Sequence, residues 1–287
     1  MAELPPDLIS GNTSIELLFC TDVLGLPSLH YGYWNDGEEL SLENLKLAQK
    51  RYTDQLATLV PVGVQQILDV GCGTGDIARM LAAQGHHVTA ISPDDAQRKV
   101  VQSEDSRITY FNVRFEDLDI DRAFDLILMA ESQNYIDIEI GFRQCRRYLP
   151  NGGYLLVSGI FGRADAPRGE LPGFIKNTDE HFVSEAGRHG FRLLSCEDIT
   201  GHVLPTLTFC RATYEQYVLP TIGIAGLWLS RRPFIGKLVR LALGKEIHSL
   251  KRVRGYYMER FDAELFAGTC RYLTQLFVYE KRIVATR

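Results

Sequence analysis

The chain has 287 residues, 45% hydrophobic and 23% charged, with a net charge of −5. This is the composition of a soluble globular protein long enough for one α/β domain with an added cap, and its acidic balance excludes a general nucleic-acid binder. No apolar run approaches the ~20 residues of a membrane helix.

Met1-Ala2-Glu3-Leu4-Pro5-Pro6 has neither the basic start nor the apolar core of a secretory signal. Cys20, Cys72, Cys145, Cys196, Cys210 and Cys270 are scattered without a C-x-x-C pair. They fit reduced thiols in a cytoplasm better than disulfides or metal ligands, so no metal is expected. Residues 1–40 read as irregular and aromatic. Leu26-Pro27-Ser28-Leu29-His30-Tyr31-Gly32-Tyr33-Trp34 places ring-bearing side chains among turn residues, as either a hydrophobic plug or a lid over a ligand. Ser41 then caps a helix predicted over 42–60, with a mostly one-sided apolar stripe of Leu42, Leu45, Leu47, Tyr52, Leu56 and Leu59; Pro61 and Gly63 end it.

Ile67-Leu68-Asp69-Val70-Gly71-Cys72-Gly73-Thr74-Gly75 reads as a buried strand entering a glycine-rich turn ahead of a helix over 76–84. The glycines let backbone N–H groups come close to a ligand, and the helix N-terminus favours a carboxylate. Asp69 can accept hydrogen bonds from an ammonium group. Both features suit the amino-acid end of a ligand better than a pyrophosphate. The pattern is G-x-G-x-G, neither the dinucleotide G-x-G-x-x-G nor a P-loop. A plain strand-to-helix turn would need one glycine at most.

Asp69-Val70-Gly71-Cys72-Gly73-Thr74-Gly75 resembles motif I of the class I methyltransferases that use S-adenosylmethionine (SAM). The resemblance runs from about Tyr31 to Glu197 and more weakly to the C-terminus. It implies that Asp69, Gly71, Cys72 and Gly73 hold the cofactor. His30-Tyr31-Gly32-Tyr33-Trp34 resembles the segment before the core in small-molecule methyltransferases of the sarcosine, tocopherol and cyclopropane-fatty-acid type. A tyrosine there approaches the sulfonium, and Tyr31 is its match; an aromatic face attracts a cation.

The core continues as strand 87–91, a short helix near 95–103, strands 108–112 and 124–129, helix 139–149 and strand 154–159. Such alternation implies a parallel sheet with helices on both faces and ligands at the carboxyl ends of its strands. After the second strand, Ser92 and Gln97 match the hydroxyl-and-Gln spacing of the cyclopropane-synthase-like branch, with Pro93 beside Ser92 as a further candidate at the cofactor. Asp94 is the alternative ribose ligand, and a simple helix start is compatible with both. After the third strand, Phe115 and Glu116 (or Asp117) occupy the adenine position of the family; the same residues also suit a solvated turn. After the fourth, Ala130 and Glu131 lie where cofactor and acceptor meet, with Gln133 and Tyr135 as neighbours. A carboxylate there can take a proton or orient an acceptor. Asn134-Tyr135 stands where cyclopropane synthases carry a Glu-His pair, which argues against cyclopropanation.

A loop over 160–175, a helix over 179–189 and a strand over 191–197 follow. His202 then sits where the chain of tocopherol- and cyclopropane-type enzymes leaves the sheet to build an acceptor cap, as an acceptor-orienting group or a structural histidine. Residues 203–270, rich in aromatic and aliphatic side chains such as Phe209, Tyr217, Leu227 and Trp228, suit a pocket for an apolar acceptor or simple packing of the cap. Residues 229–254 hold eight Lys/Arg against Glu246, a local charge of +7. They suit contact with an anionic membrane or acceptor, or an ordinary solvated cap face. The last strand is predicted over 272–285.

The expected protein is a cytoplasmic SAM-dependent methyltransferase acting on a small apolar or anionic acceptor, with S-adenosylhomocysteine (SAH) as product. Its fold is a Rossmann-like seven-stranded class I methyltransferase sheet with helices on both faces and a mainly α-helical C-terminal cap. The expected organisation is an aromatic lid over 1–40, a SAM-binding core over 41–202, a helical cap over 203–270 and the last core strand over 271–287. Tyr31, Glu131 and His202 are the candidate catalytic residues. The alternatives are a cyclase-like SAM-binding enzyme, aminopropyl transfer from decarboxylated SAM, and a non-catalytic membrane-associated SAM-binding protein.

Overall fold

A computed structural model describes residues 24–94, 107–166, 175–232, 234 and 261–281. Its strands are β1 (Gln66–Val70), β2 (His87–Ser92), β3 (Ile108–Asn112), β4 (Leu126–Ala130), β5 (Tyr154–Gly162), β6 (Phe191–Asp198) and β7 (Cys270–Tyr279). They form one sheet in the order β3-β2-β1-β4-β5-β7-β6. The pairs from β3 through β5 are parallel, whereas β7 runs antiparallel between β5 and β6. The helices are α1 (Leu42–Thr58), α2 (Asp76–Ala83), α3 (Ile138–Tyr148), α4 (Asp179–Arg188), α5 (Thr200–Thr213), α6 (Leu219–Ser230) and α7 (Ala263–Thr269).

Successive residues of β1 enter opposite layers, as strand geometry requires. Ile67 packs with Tyr52, Leu56, Ile77 and Leu81 of α1 and α2. Leu68 and Val70 pack with Phe142, Tyr148 and Phe182 of α3 and α4. Both faces of the sheet are therefore covered, and the strands read as continuous apolar runs.

Local chemistry sets the helix ends. The Ser41 hydroxyl accepts from the Asn44 N–H at 3.2 Å, and the Asp137 carboxylate caps α3 through the Ile140 N–H at 3.0 Å. After α1, the Leu59 N–H turns back to Leu56 in a tighter bond, so the helix ends at Thr58, two residues before the expected 60. β5 is longer than the expected 154–159, because β7 pairs with it along nine positions from Tyr154↔Val278 to Gly162↔Cys270. The same pairing starts β7 at Cys270 rather than 272. The antiparallel return of β7 is not visible in a βα alternation, since the partner strands are distant in sequence. The short helix expected near 95–103 lies outside the described residues.

The aromatic segment before α1 is clamped between α1 and α5. Tyr33 N–H donates to Ala48 O at 2.8 Å, and Trp34 N–H to His202 O at 3.0 Å. Thr206 Oγ1 accepts from both Gly32 N–H (3.1 Å) and Trp34 Nε1 (2.8 Å). Gln49 Nε2 donates to the carbonyls of Ser28 and His30 at 3.1 and 2.8 Å. The Trp34 ring is 1% exposed and packs with Leu26, Leu45, Ala48 and Phe209.

Gly32 makes this close approach sterically possible, because a Cβ there would lie 2.5 Å from Ala48 Cβ and 3.1 Å from its carbonyl carbon. Gly32→Ala is expected to destabilise the fold by about 1–3 kcal/mol, the range for overpacking a well-filled site. Denaturant unfolding of the two proteins measures the difference, and equal midpoints would show that the segment can move away from α1.

Candidate functional site

The turn after β1 is built from three left-handed glycines, Gly71 (φ +75°), Gly73 (φ +53°) and Gly75 (φ +74°). At Gly71 the reason is also steric. A Cβ there would lie 2.6 Å from Ser132 Cβ, and the Ser132 hydroxyl donates to Val70 O at 2.6 Å, locking the ends of β1 and β4 together. At Gly73 nothing lies within 4 Å of a would-be Cβ, so its φ rather than crowding favours glycine, and the backbone faces open space. Cys72 is different: its thiol is in the core and its N–H donates to Ile91 O at 3.2 Å. Burial pushes the Cys72 thiol up, so it is uncharged.

Asp69 projects from β1 with 1% exposure, and its Oδ2 has no hydrogen-bond partner among the described residues. Burial raises its pKa to about 7; the charge of His30 opposes that shift and Asp76 adds to it. A buried, unpartnered carboxylate oxygen beside a glycine turn and the N-terminus of α2 suits an ammonium and a carboxylate on one carbon. These residues fit the amino-acid end of SAM.

Glu131, directly after β4, is the hub of the site. It has φ +60°, the one positive φ of a non-glycine residue among those described, a conformation that costs energy and is held by its surroundings. Its N–H donates to Ser158 O at 2.7 Å. Its Oε1 accepts from the Tyr31 N–H at 2.8 Å and lies 2.6 Å from Tyr272 Oη. His30 Nδ1 is 3.7 Å from the same oxygen. No described residue donates to Oε2.

Behind Tyr272 runs a buried chain of hydroxyls. Tyr272 Oη is 2.9 Å from Tyr52 Oη, Tyr52 Oη is 3.0 Å from Ser158 Oγ, and Ser158 Oγ is 2.8 Å from Thr274 Oγ1. Strand register assembles it: Ala130 pairs with Ser158, and Ser158 with Thr274. Burial pushes the Tyr52 and Tyr272 phenols up, so both remain neutral donors.

His30 bridges two carboxylates, with Nε2 3.6 Å from Asp76 and Nδ1 3.7 Å from Glu131. Burial works against its charge, but Asp76, Glu131 and Asp69 outweigh burial and push its pKa to about 9. The imidazole is thus a cation at neutral pH. Thr74 Oγ1 donates to Pro27 O at 2.9 Å, so the glycine turn itself also holds the aromatic segment.

The structure brings Tyr31, Asp69, Gly71, Gly73, Ala130 and Glu131 to the carboxyl ends of β1 and β4. The Tyr31 ring lies 5.6 Å from that of Tyr272 and 6.4 Å from that of Phe266. Ser92 is buried at the tip of β2, where its hydroxyl accepts from the Asp94 N–H at 3.2 Å; Pro93 beside it is exposed. Gln97 lies outside the described residues. Phe115 packs its ring into the core layer with Val70 and Ile91, and Glu116 pairs with Arg114 at 3.0 Å. His202 is engaged with the aromatic segment: Nδ1 is 2.8 Å from Trp34 O, and its ring stacks on Tyr33 at 4.0 Å. Tyr217, Leu227 and Trp228, expected to line a pocket, are exposed.

Sequence reading missed His30, Tyr52, Asp76 and Tyr272. His30 stood inside a segment singled out for its neighbour, while Tyr272 and Tyr52 reach the site only through strand order and helix packing.

A histidine whose folded pKa is raised stabilises the fold fully below its unfolded value near 6.5 and loses that contribution as pH rises through about 9. Wild-type stability is therefore expected to fall across this window by about 1–3 kcal/mol more than that of His30→Gln. Unfolding midpoints of both proteins across that range measure the difference, and parallel curves would show that His30 is not charged in the fold.

The Methyltransferase domain family matches residues 68–157, which run from β1 to β5. The O-methyltransferase rstn1 of Aspergillus nomiae is 30% identical over 161 residues, covering 53% of this chain and 70% of that protein. Among solved structures, the [4+2]-cyclase SpnF aligns with a TM-score of 0.69 at 22% identity, over 92% of this chain and 94% of its own. The geranyl diphosphate C-methyltransferase of Streptomyces coelicolor, solved with SAH, aligns with a TM-score of 0.67 at 17% identity, over 93% and 94%. At these identities the two structures share the fold, while the match to rstn1 extends to the sequence itself. Sheet order, glycine turn and sequence together place this chain in the family of class I SAM-dependent methyltransferases.

Proposed function

We propose that this enzyme transfers the methyl group of SAM to a hydroxyl oxygen of a small, largely apolar or anionic acceptor, with Glu131 as the general base. The observation that carries this reading is the unequal state of the two Glu131 oxygens. Oε1 is fully engaged by Tyr31 and Tyr272, which fixes the carboxylate, while Oε2 meets no donor among the described residues. A fixed carboxylate with one free oxygen at the strand tip is suited to accept a proton from a hydroxyl as it becomes a nucleophile. The printed name of the Aspergillus relative, an O-methyltransferase, supports the choice of oxygen.

When bound, SAM would supply a sulfonium methyl for in-line attack by the acceptor oxygen, with the C–S bond breaking, neutral SAH leaving and the hydroxyl proton passing to Glu131. The protein's part is orientation and exclusion of water. Asp69 and the Gly71–Gly73 turn hold the amino-acid end. Ser92 and Pro93 at the tip of β2, with Phe115 and Glu116 after β3, serve ribose and adenine. The rings of Tyr31, Tyr272 and Phe266 offer π faces that favour a cation. Closing the 26–34 segment over the strand ends shields the reacting groups from solvent.

Two measurements test this. In Glu131→Gln, which retains an acceptor oxygen for the Tyr31 N–H, kcat for methylation of a hydroxylated aromatic acceptor is expected to fall by roughly 10²–10⁴. Its affinity for SAH should stay within a few-fold of wild type. An unchanged kcat would remove Glu131 as base, and product formed without consumption of SAM would indicate a cyclase-like reaction instead. The second concerns Asp69. Its neutral form cannot pair with an ammonium, so SAH affinity should rise as pH increases through about 7. Calorimetric titration from below to above that value should show this rise in wild type and a weak, flat profile in Asp69→Asn. An identical profile in the variant would place the ammonium elsewhere.

A further inference from the structure

After β6 the chain passes through α5 and a π-helical turn over Tyr214–Val218 into α6. α5 is anchored in the protein, with Val203 and Leu207 buried in the core. α6 is not: none of its twelve residues is buried, and none is charged. Ile222, Ile224, Leu227 and Trp228 are 47%, 68%, 54% and 49% exposed, and Tyr217 and Phe234 flank them at 61% and 86%. A helix that is apolar on every side and exposed on every side needs a cover, because a contiguous apolar patch of this kind is costly in water.

Charge selects that cover. Arg231 and Arg232 follow the helix directly and are exposed, with the Arg232 guanidinium 4.5 Å from the centre of the Trp228 ring. The sequence over 229–254, mostly outside the described residues, carries +7 in a chain of net charge −5. Pairing α6 with a second copy would set one such segment against another. An anionic surface meets both the apolar helix and the basic sequence after it. At about 1.5 Å per residue α6 is about 18 Å long, short of the ~30 Å of a bilayer core, and no helix among the described residues is long and apolar enough to cross a membrane.

We propose that α6 lies in the surface of an anionic lipid bilayer. Its aliphatic side chains enter the acyl boundary, Trp228 sits at headgroup level, and Arg231 and Arg232 face lipid phosphates. The surface would bring the enzyme to acceptors dissolved in or released from a membrane. It is independent of the atom that is methylated.

The chain has two tryptophans, which makes the test direct. Trp34 is 1% exposed and insensitive to an added surface, so a change in emission reports Trp228. The full-length protein is mixed with phosphatidylcholine vesicles with and without an equal share of phosphatidylglycerol. Co-sedimentation and a blue-shifted emission are expected with the anionic vesicles only, and both should weaken with added salt. Ile224→Asp should lower vesicle affinity by about tenfold or more, with SAH binding unchanged as the control for folding. Absence of binding to anionic vesicles, or equal binding by the variant, would overturn the proposal. So would a wild-type dimer that Ile224→Asp converts to a monomer without any vesicle binding, which would assign the face to a second copy.

Discussion

A partly buried carboxylate is stabilised by donors, and at Glu131 those donors come from opposite ends of the chain. Tyr31 lies before the first helix and Tyr272 in the last strand, and both converge on Oε1. The residue itself is held in a left-handed backbone conformation by the close approach of β4 to β5 and by the Ser132–Val70 bond. The aromatic segment, the sheet centre and the returning strand β7 therefore share one point. The glycine turn joins the same construction, because Gly71 yields the space that Ser132 occupies.

Electrostatics gives the site its preference. Asp69, Asp76 and Glu131 face a single imidazolium, His30, in a buried setting. The balance is negative, which favours a ligand carrying both a sulfonium and an ammonium over an anionic nucleotide. The neutral phenols of Tyr52 and Tyr272 add donors without adding charge. His30 belongs to the aromatic segment, so the charge that ties this segment to Asp76 and Glu131 also contributes to the field at the strand tips.

The elements of the sheet centre were legible because their signals are local. Gln66–Val70, the glycines after it and the Ser41 cap each follow from neighbouring residues. The position of β7 between β5 and β6 was not, since antiparallel pairing of Ser158 with Thr274 is a contact over more than a hundred residues. The same holds for the site. Asp69 and Glu131 stand at strand tips and could be named from the chain, but Tyr272 enters only through that register. Histidines show the limit of residue type alone. His202 attracted attention by position and is engaged with Trp34 and Tyr33, whereas His30, adjacent to the chosen Tyr31, carries the charge between two carboxylates.

The most direct test is amide hydrogen exchange over residues 27–34 in wild type and in Glu131→Ala. If the Glu131 carboxylate fastens the aromatic segment to the strand tip, the Tyr31 amide and its neighbours should exchange roughly tenfold faster or more in the variant, with β1 and β5 still protected. Unchanged exchange in a folded Glu131→Ala protein would show that the segment is held without it.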